Sequence, residues 1–261
     1  MSHSTSSNGR AALIALSILH GGDWDAIYAD VRNHNVPEIP EDLPENAITI
    51  LDEEYPESLR HSPKPPFVLW REGDPTLLSS ARVLSLAGSR EPSEYGRCVA
   101  ELIGGRCADK GIVLCAKLSK GCQASALREC SRGGKAIAVL YRGIDDREPD
   151  GQLSRIRDGI VENGGLIVSE YPGKTEPSAR SALESTRIVA ALGKAMAIPE
   201  AKDRSGSVAA AAMALAIGKD VACAPHRITD DDACDGLISE GAYCIRDIGT
   251  FLEDFFPEKG A

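Results

Sequence analysis

The feature that most constrains this chain is a repeated alternation of short apolar runs with segments long enough to form helices. A continuous apolar run of about four to eight residues is typical of a strand buried on both faces of a sheet. The runs are RVLSLAGSR (82–90), GIVLC (111–115), KAIAVLY (135–141), GLIVSEY (165–171), KAMAIPE (194–200) and KDVACAP (219–225). Because right-handed crossovers place helices on both faces of a parallel sheet, the pattern predicts an α/β, Rossmann-like fold.

The N-terminal region has a different composition from the rest of the chain. Residues 1–10 are rich in serine and lack the apolar stretch of a signal peptide, so we expect a disordered tail. Residues 11–20 and 23–33 have the patterns of two short helices, and residues 36–46 form an acidic, proline-rich linker. The helices are too small to bury a core alone, so they either pack on the main domain or tether it. We therefore expect a helical extension over residues 1–45 and one extended Rossmann-like domain over residues 46–261.

The cysteines and the apolar content place limits on the class of protein. No apolar run approaches the roughly 20 residues needed to cross a bilayer, so we expect a soluble, cytoplasmic protein. The sequence holds eight cysteines but no CxxC pair, and several fall inside predicted strands or helices, where a small apolar residue would serve. We therefore expect reduced cysteines, no metal and no cofactor.

The formal charge of −10 is unevenly distributed along the chain. Residues 1–80 hold 5 basic and 13 acidic residues, whereas residues 81–261 hold 24 basic and 26 acidic residues. Many of the basic residues follow predicted strands: Arg90, Lys117, Lys120, Arg142, Lys174, Arg180, Arg187, Lys202 and Arg204. Loops that follow parallel strands gather at one rim of the sheet, so the sequence predicts a locally positive rim on an acidic body. The alternative is that lysine and arginine are simply frequent in loops.

Two small-residue loops have the composition of phosphate-binding turns. Gly88, Ser89 and Arg90 end the first predicted strand, where the next helix would turn free N–H groups toward a phosphate and the guanidinium would fork onto its oxygens. Ser205, Gly206 and Ser207 follow Arg204 and lead into an alanine-rich helix; an ordinary N-cap would explain a serine there but not the whole Arg-Ser-Gly-Ser run. The predicted DNA- and phosphate-binding residues are Gly88, Ser89, Arg90, Lys117, Lys120, Arg187, Arg204, Ser205, Gly206 and Ser207.

Several motifs in this order resemble the bacterial DNA-processing protein A (DprA/Smf) family over roughly residues 48–254. They are ITILDEEYPESL, PPFVLWREGD, LAGSREPSEYG, GGKAIAVLYRGID, GLIVSEYPG, STRIVAALG, EAKDRSGSVAAAAMALAIGKDV and LISEGA. The resemblance implies a non-enzymatic protein that binds single-stranded DNA and works as a homodimer. It further implies that the protein protects incoming DNA during natural transformation, acts in homologous recombination and loads the RecA recombinase.

This chain departs from the family pattern at several positions. A Ser-Gly pair, and a Gly-Ile-Asp motif followed by a histidine, are replaced by Ala116-Lys117, Gly121-Cys122-Gln123 and Leu127. A Phe-Pro-x-Arg-Asn-Arg motif is replaced by residues 182–187, ALESTR, so a stacking aromatic and one arginine are missing. His226 stands in place of a usual glycine and Asp235 in place of a common asparagine. Because base stacking is worth roughly 1–3 kcal/mol per base, we expect weaker DNA binding, or a pocket that has moved to another ligand.

The alternative function is a nucleotide-ligand sensor or a phosphoribohydrolase-like enzyme of similar topology. The Pro-Gly-Gly-x-Gly-Thr loop of those hydrolases is replaced here by RSGSVAA (204–210), and no carboxylate follows in the next two helical turns. Glycosidic hydrolysis needs a placed acid, so catalysis is not expected. For Glu170, the one acid of interest at the rim, we expect a structural role as an acceptor for loop N–H groups.

Overall fold

A mixed sheet with helices on both faces organises the computed structural model, which describes residues 2–227, 230 and 232–257. Within that part of the chain the sheet has nine strands in the order β1-β2-β6-β5-β4-β3-β7-β8-β9. The strands are β1 (Ala47–Thr49), β2 (Val68–Gly73), β3 (Val83–Leu86), β4 (Val113–Lys117), β5 (Ala136–Val139), β6 (Leu166–Ser169), β7 (Ala195–Ile198), β8 (Asp220–Cys223) and β9 (Tyr243–Cys244). Strands β3 to β9 pair in parallel, whereas β1 and β2 are antiparallel. The predicted Rossmann-like fold is confirmed.

The helices connect successive strands and cover both faces. They are α1 (Ser2–Leu19), α2 (Trp24–Asn33), α3 (Glu57–Arg60), α4 (Glu94–Asp109), α5 (Cys122–Ser131), α6 (Gly151–Glu162), α7 (Ala179–Leu192), α8 (Gly206–Ala216), α9 (Ala233–Ser239) and α10 (Ile248–Phe255), with a 3-10 helix over Pro75–Ser79. In the described part of the chain no helix is both long enough and apolar enough to cross a bilayer.

Both faces of the parallel strands are buried, as their continuous apolar runs require. Every residue of β3, β5, β6 and β7 is buried. In β3, Leu84 and Leu86 belong to the core that contains Ile103 of α4, whereas Val83 belongs to the core that contains Ile188 of α7. The alternation of side chains along a strand therefore divides the apolar core into two layers, one on each side of the sheet.

The N-terminal helices pack on the main domain. Leu13 and Ile14 of α1 share a core with Trp70 of β2, whose indole Nε1 donates a hydrogen bond to Ser17 Oγ over 3.1 Å. The expectation of a disordered tail is wrong for residues 2–10, because α1 begins at Ser2. The boundary between the extension and the main domain stays a prediction.

The apolar run FVLW (67–70) lies one strand in from the edge of the sheet. Strand β2, which contains most of this run, pairs with β6 on one side and with β1 on the other. The three-residue strand β1 is therefore the edge.

The order of the strands creates one topological switch point. From β3 the chain moves outward through β4, β5 and β6, then returns to the other side of β3 and moves outward through β7, β8 and β9. The loops after β3 and β7 consequently leave the sheet side by side in opposite directions. In open α/β sheets this crevice, at the carboxyl ends of the strands, is where ligands bind.

Candidate functional site

The loop after β3 lies at the switch point and is held by both neighbouring loops. The Ser89 N–H donates to the Glu200 carbonyl over 2.9 Å, and the Cys122 N–H donates to the Ser89 carbonyl over 3.0 Å. A Cβ at Gly88 would lie 2.6 Å from Cys122 Cβ, and a Cβ at Gly121, where φ is +81°, would lie 2.2 Å from the Ser89 carbonyl oxygen. Both positions therefore require glycine, and the loop has one tightly packed conformation.

The N-terminus of α4 is occupied by a carboxylate of the protein itself. The Ser93 N–H lies 3.1 and 3.0 Å from the two carboxylate oxygens of Glu200, and the Ser93 hydroxyl donates to the same group. Ser93 also caps the helix by accepting from the Gly96 N–H over 3.1 Å. Glu200 therefore already supplies negative charge at this helix dipole, a contact that the sequence did not predict, and phosphate binding at the N-terminus of α4 stays a prediction.

Arg90 projects from this loop as an exposed cation. Its side chain forms no hydrogen bond or ion pair with any described residue. Nearby Lys117 ends β4, and its Nζ donates to the Ala182 carbonyl over 2.8 Å and to Thr186 Oγ1 over 2.9 Å. Burial lowers the pKa of the Lys117 amine to about 8, and the positive charge of Arg90 adds to this effect. The two neighbouring positive charges repel each other, and Arg90 has no partner in the described structure. A bound anion would therefore stabilise the charged forms of both side chains.

Arg187 does not join this surface. Its Nη2 donates to Glu170 Oε1 over 2.5 Å, its Nε to the Lys64 carbonyl over 2.7 Å, and its Nη1 to the Glu184 carbonyl over 2.8 Å. The Arg187 and Glu170 side chains are only 11% and 3% exposed. The expectation that Arg187 is a free basic group at the rim is therefore corrected: the residue forms a buried ion pair.

Glu170 has the structural role expected for it, but with a different partner. It accepts from the Arg187 guanidinium rather than from loop N–H groups. Burial raises the pKa of Glu170, and the charge of Arg187 opposes this rise. The carboxyl group is enclosed, so it is poorly placed to act as an acid on a bound substrate.

The second small-residue loop lies beside the first because Glu200 joins them. Arg204 is exposed and adopts a left-handed backbone with φ of +53°. Ser205 caps α8 by accepting from the Val208 N–H over 3.5 Å, and Ser207 is buried. At Gly206 a Cβ would meet no atom within 4 Å, so packing does not require glycine there. The ordinary N-cap explanation accounts for Ser205.

The remaining basic residues of the rim divide into free and paired groups. Arg142 pairs with Asp146 and Glu148, and Arg180 pairs with acids of α2 and α7, so neither is free. Lys120 is exposed and lies 3.2 Å from Asp150 Oδ2. Lys174 and Lys202 are exposed. We call the cations on the loops after β3, β4 and β7 the cationic rim: Arg90, Lys117, Lys120, Lys202 and Arg204.

The departures from the family motifs are mostly buried. Leu127 and Ser185 are fully enclosed, and Ala182 supplies a carbonyl to Lys117. Gln123 is also buried, and its Oε1 has no partner among the described residues, as is true of Ser119 Oγ. The altered positions therefore lie in the interior beneath the cationic rim. Gln123 Oε1 and Ser119 Oγ are the polar atoms there that have no partner among the described residues.

Two residues at this edge were not expected from the sequence. Glu200 accepts a hydrogen bond from the Ser93 N–H at the start of α4. Tyr95, in the first turn of α4, is 48% exposed, and its hydroxyl donates to the Pro225 carbonyl over 3.0 Å. The Tyr-Gly step after Glu-Pro-Ser was visible in the sequence, but only the fold shows that the ring stands at this edge.

Together the switch point and the cationic rim define a Rossmann-like α/β protein with exposed basic residues at the carboxyl ends of its parallel strands. The chain belongs to the DNA recombination-mediator protein A family, whose model matches residues 46–256. The family resemblance seen in the sequence is thereby confirmed, and with it a role in DNA processing.

Individual relatives support the same assignment. The chain is 30% identical over 217 residues to the DNA processing protein DprA of Bacillus subtilis, covering 82% of this chain and 72% of the relative. It is 32% identical over 213 residues to DprA of Streptococcus pneumoniae, covering 80% and 74%. These relatives are described as DNA-processing proteins and not by an enzymatic activity.

Solved structures of two relatives share the fold. The S. pneumoniae DNA processing protein A superposes with a TM-score of 0.75 at 26% identity, covering 98% of this chain and 97% of that one. The Helicobacter pylori protein, which binds single-stranded DNA, gives a TM-score of 0.73 at 26% identity, covering 80% and 94%.

Proposed function

We propose that this protein binds single-stranded DNA along the cationic rim. The observation that carries the proposal is Arg90, an exposed cation without a partner in the described structure, held on a rigid loop at the switch point beside Lys117. A loop that is already ordered loses little conformational entropy on binding, so its charge is available for phosphate at small cost. The H. pylori relative, which binds single-stranded DNA, has the same fold.

The strand would follow the rim from the start of α5 to the start of α8. Arg90 would fork onto one phosphate, and Lys117 and Lys120 would lie on one side of it. Lys202 and Arg204 would continue the path past the loop after β7, where the backbone of residues 205–207 begins α8. Gly88 and Ser89 shape the loop and contribute through its backbone rather than through free side-chain donors.

Tyr95 is our candidate for stacking a base. The chain lacks the aromatic residue that the family carries before Arg187, but Tyr95 is 48% exposed and lies at the edge that holds the cationic rim, with its ring against His226. A flat exposed ring beside a positive groove is the combination that sequence-tolerant single-strand binding uses. The Tyr95→Leu variant should bind oligo-dT about 5- to 100-fold more weakly than wild type, with an unchanged salt slope, whereas Tyr95→Phe should retain binding.

The experiment is a titration of labelled oligo-dT, a few tens of nucleotides long, followed by fluorescence anisotropy at two salt concentrations. If each of the five cations contacts a phosphate and releases about 0.7 of a counterion, a plot of log affinity against log salt concentration should have a slope of up to about −3.5. Affinity should then fall by up to roughly 130-fold between 50 and 200 mM salt. A protein that binds a mononucleotide and ignores the oligomer at low salt would instead support the nucleotide-sensor alternative.

We also propose the finer properties that the family resemblance implies. These are a homodimer, delivery of single-stranded DNA to the RecA recombinase, and a role in natural transformation and recombination without catalysis by this chain. Light scattering after size exclusion measures the dimer. The rate of RecA assembly on DNA coated with single-strand-binding protein, with and without this chain, measures the delivery, and an unchanged rate would contradict it.

A further inference from the structure

A cluster of buried metal-ligating side chains lies outside the cationic rim, between the end of β8 and the start of α9. Ligand atoms of His226, Asp232 and Cys234 all lie within 4.8 Å of one another. The His226 and Asp232 side chains are only 3% and 5% exposed, and Cys234 is fully buried. Cys223, the last residue of β8 and also fully buried, lies next to the Cys234 thiol, outside this group of three. An imidazole, a carboxylate and a thiol therefore converge on one point, and a second thiol lies beside them.

The donor set is selective for one class of ion. Thiolate and imidazole ligands favour Zn²⁺ and related thiophilic metals, whereas Mg²⁺ and Ca²⁺ prefer sites built from oxygen. The donors come in two local pairs, Cys223-x-x-His226 and Asp232-x-Cys234, one at a strand end and one at a helix start. Closely spaced pairs of ligands brought together by the fold are typical of structural zinc sites.

We propose that Cys223, His226, Asp232 and Cys234 form a structural zinc site. The four residues supply the four ligands of a closed tetrahedral centre, which leaves no position for a substrate. Bonds of about 2.0–2.3 Å place neighbouring donor atoms roughly 3.3–3.8 Å apart, so the outermost of the three clustered donors must close by about 1 Å when the ion binds, and the Cys223 thiol must move toward them. The thiol protons leave to solvent as the thiolates coordinate the ion.

The site would brace the segment that leads to the cationic rim. His226 Nε2 lies 3.0 Å from the Pro199 carbonyl, and Asp232 Oδ2 accepts from the Ala201 N–H over 3.0 Å. Both of these partners follow β7 directly and precede Lys202 and Arg204. An ion at the cluster would therefore tie α9 and the end of β8 to the loop after β7. This proposal rests on the donor geometry and stands whether or not the rim binds DNA.

The experiment measures metal binding by the purified 261-residue chain. We expect a single zinc ion per chain after exhaustive dialysis, by mass spectrometry, and a Kd below about 1 µM in competition with a chromophoric chelator. Co²⁺ in place of Zn²⁺ should give the intense near-ultraviolet band of thiolate-to-cobalt charge transfer. Binding of Zn²⁺ should also raise the melting temperature, because only the folded chain presents all four ligands.

Two variants and a matched control test the ligands. Cys234→Ser and His226→Asn should each weaken Zn²⁺ binding by at least about 100-fold, because even the residues behind a ligand contribute 10–100-fold. Cys115→Ser introduces the same change at an equally buried cysteine of β4 and should leave Zn²⁺ binding intact. Circular dichroism verifies that each variant is folded.

Three results would overturn the proposal. The wild-type chain could bind Zn²⁺ more weakly than about 1 µM, which would mean that the internal hydrogen bonds alone hold the cluster. The Co²⁺ complex could lack the thiolate band. Folded Cys234→Ser and His226→Asn could bind Zn²⁺ as tightly as wild type, or Cys115→Ser could lose binding equally, which would place the ion elsewhere.

Discussion

Replacement of Arg90 by alanine isolates one phosphate contact without disturbing the fold. The Arg90 side chain is exposed and has no partner among the described residues, so its removal leaves no buried group unpaired. Surface substitutions of this kind change the free energy of unfolding by no more than about 0.5 kcal/mol. Any large effect on DNA binding can then be attributed to the lost guanidinium.

The expected loss follows from the position of the side chain. A hydrogen bond to a charged partner is worth about 1.5–3 kcal/mol when shielded, and an exposed ion pair about 0.2–1 kcal/mol. Arg90 is exposed at a crevice, so we expect about 1–2 kcal/mol, which is roughly a 5- to 30-fold increase in Kd. Loss of its charge also raises the pKa of Lys117 back toward the ordinary value, which offsets part of the effect.

Salt dependence provides the second readout. In anisotropy titrations with oligo-dT, the slope of log affinity against log salt concentration should be smaller in magnitude by about 0.7 for Arg90→Ala. The reason is that one fewer phosphate contact releases about 0.7 fewer counterions. Arg132→Ala is the control, because Arg132 follows the last turn of α5, at the end remote from Gly121, and is similarly exposed. Equal binding by Arg90→Ala and wild type at every salt concentration would refute the reasoning, as would an equal loss in Arg132→Ala.

Three further predictions follow from the same geometry. Arg187→Met should lower the free energy of unfolding, measured in urea, by about 3–5 kcal/mol, because it leaves Glu170 buried without its cation. The salt dependence of DNA binding should not change, and the double variant Arg187→Met with Glu170→Gln should recover part of the stability. Gly121→Ala, at φ +81°, should cost more than about 1 kcal/mol, whereas Gly105→Ala, in open space on α4, should be neutral or stabilise by up to about 1 kcal/mol; equal melting temperatures would contradict this. Since the pKa of Lys117 is about 8, DNA binding should weaken between pH 7 and 9 in wild type and less so in Lys117→Met; a parallel decline in both would exclude this amine. Its pKa in the folded chain is below that in the unfolded chain, so its contribution to stability rises with pH between about 8 and 10, and unfolding does not explain the loss.

The sequence pattern was sufficient for the central strands of the fold. All six apolar runs contain strands, β3 to β8, because a strand buried on both faces must be apolar at successive positions. The edge strands β1 and β9 have only three and two residues, so they are too short to show a hydrophobic periodicity in the sequence. The helical start of the chain was missed for a related reason, since its serines are typical of disordered tails and not of helices.

The sequence also showed where basic residues lie along the chain, but not which of them are free. Arg90 and Arg187 look alike as arginines that follow strands. In the fold, Arg187 meets Glu170, 17 residues away, and Lys64, 123 residues away, whereas Arg90 meets no partner in the described structure. The proposed zinc ligands include no CxxC pair; they form one Cys-x-x-His pair and one Asp-x-Cys pair, which only the fold brings together.

The amino-acid sequence by itself determined the class of fold, the family and the rim on which the loops gather, because hydrophobic periodicity and turn composition are local properties of the chain. Tertiary structure alone decided which charges remain available for a ligand. Glu200 and Ser93 are 107 residues apart, yet their contact neutralises the helix terminus that the sequence offered to phosphate. The energy of a charged group depends on the charges and the solvent that surround it, and these are set only when distant segments pack together.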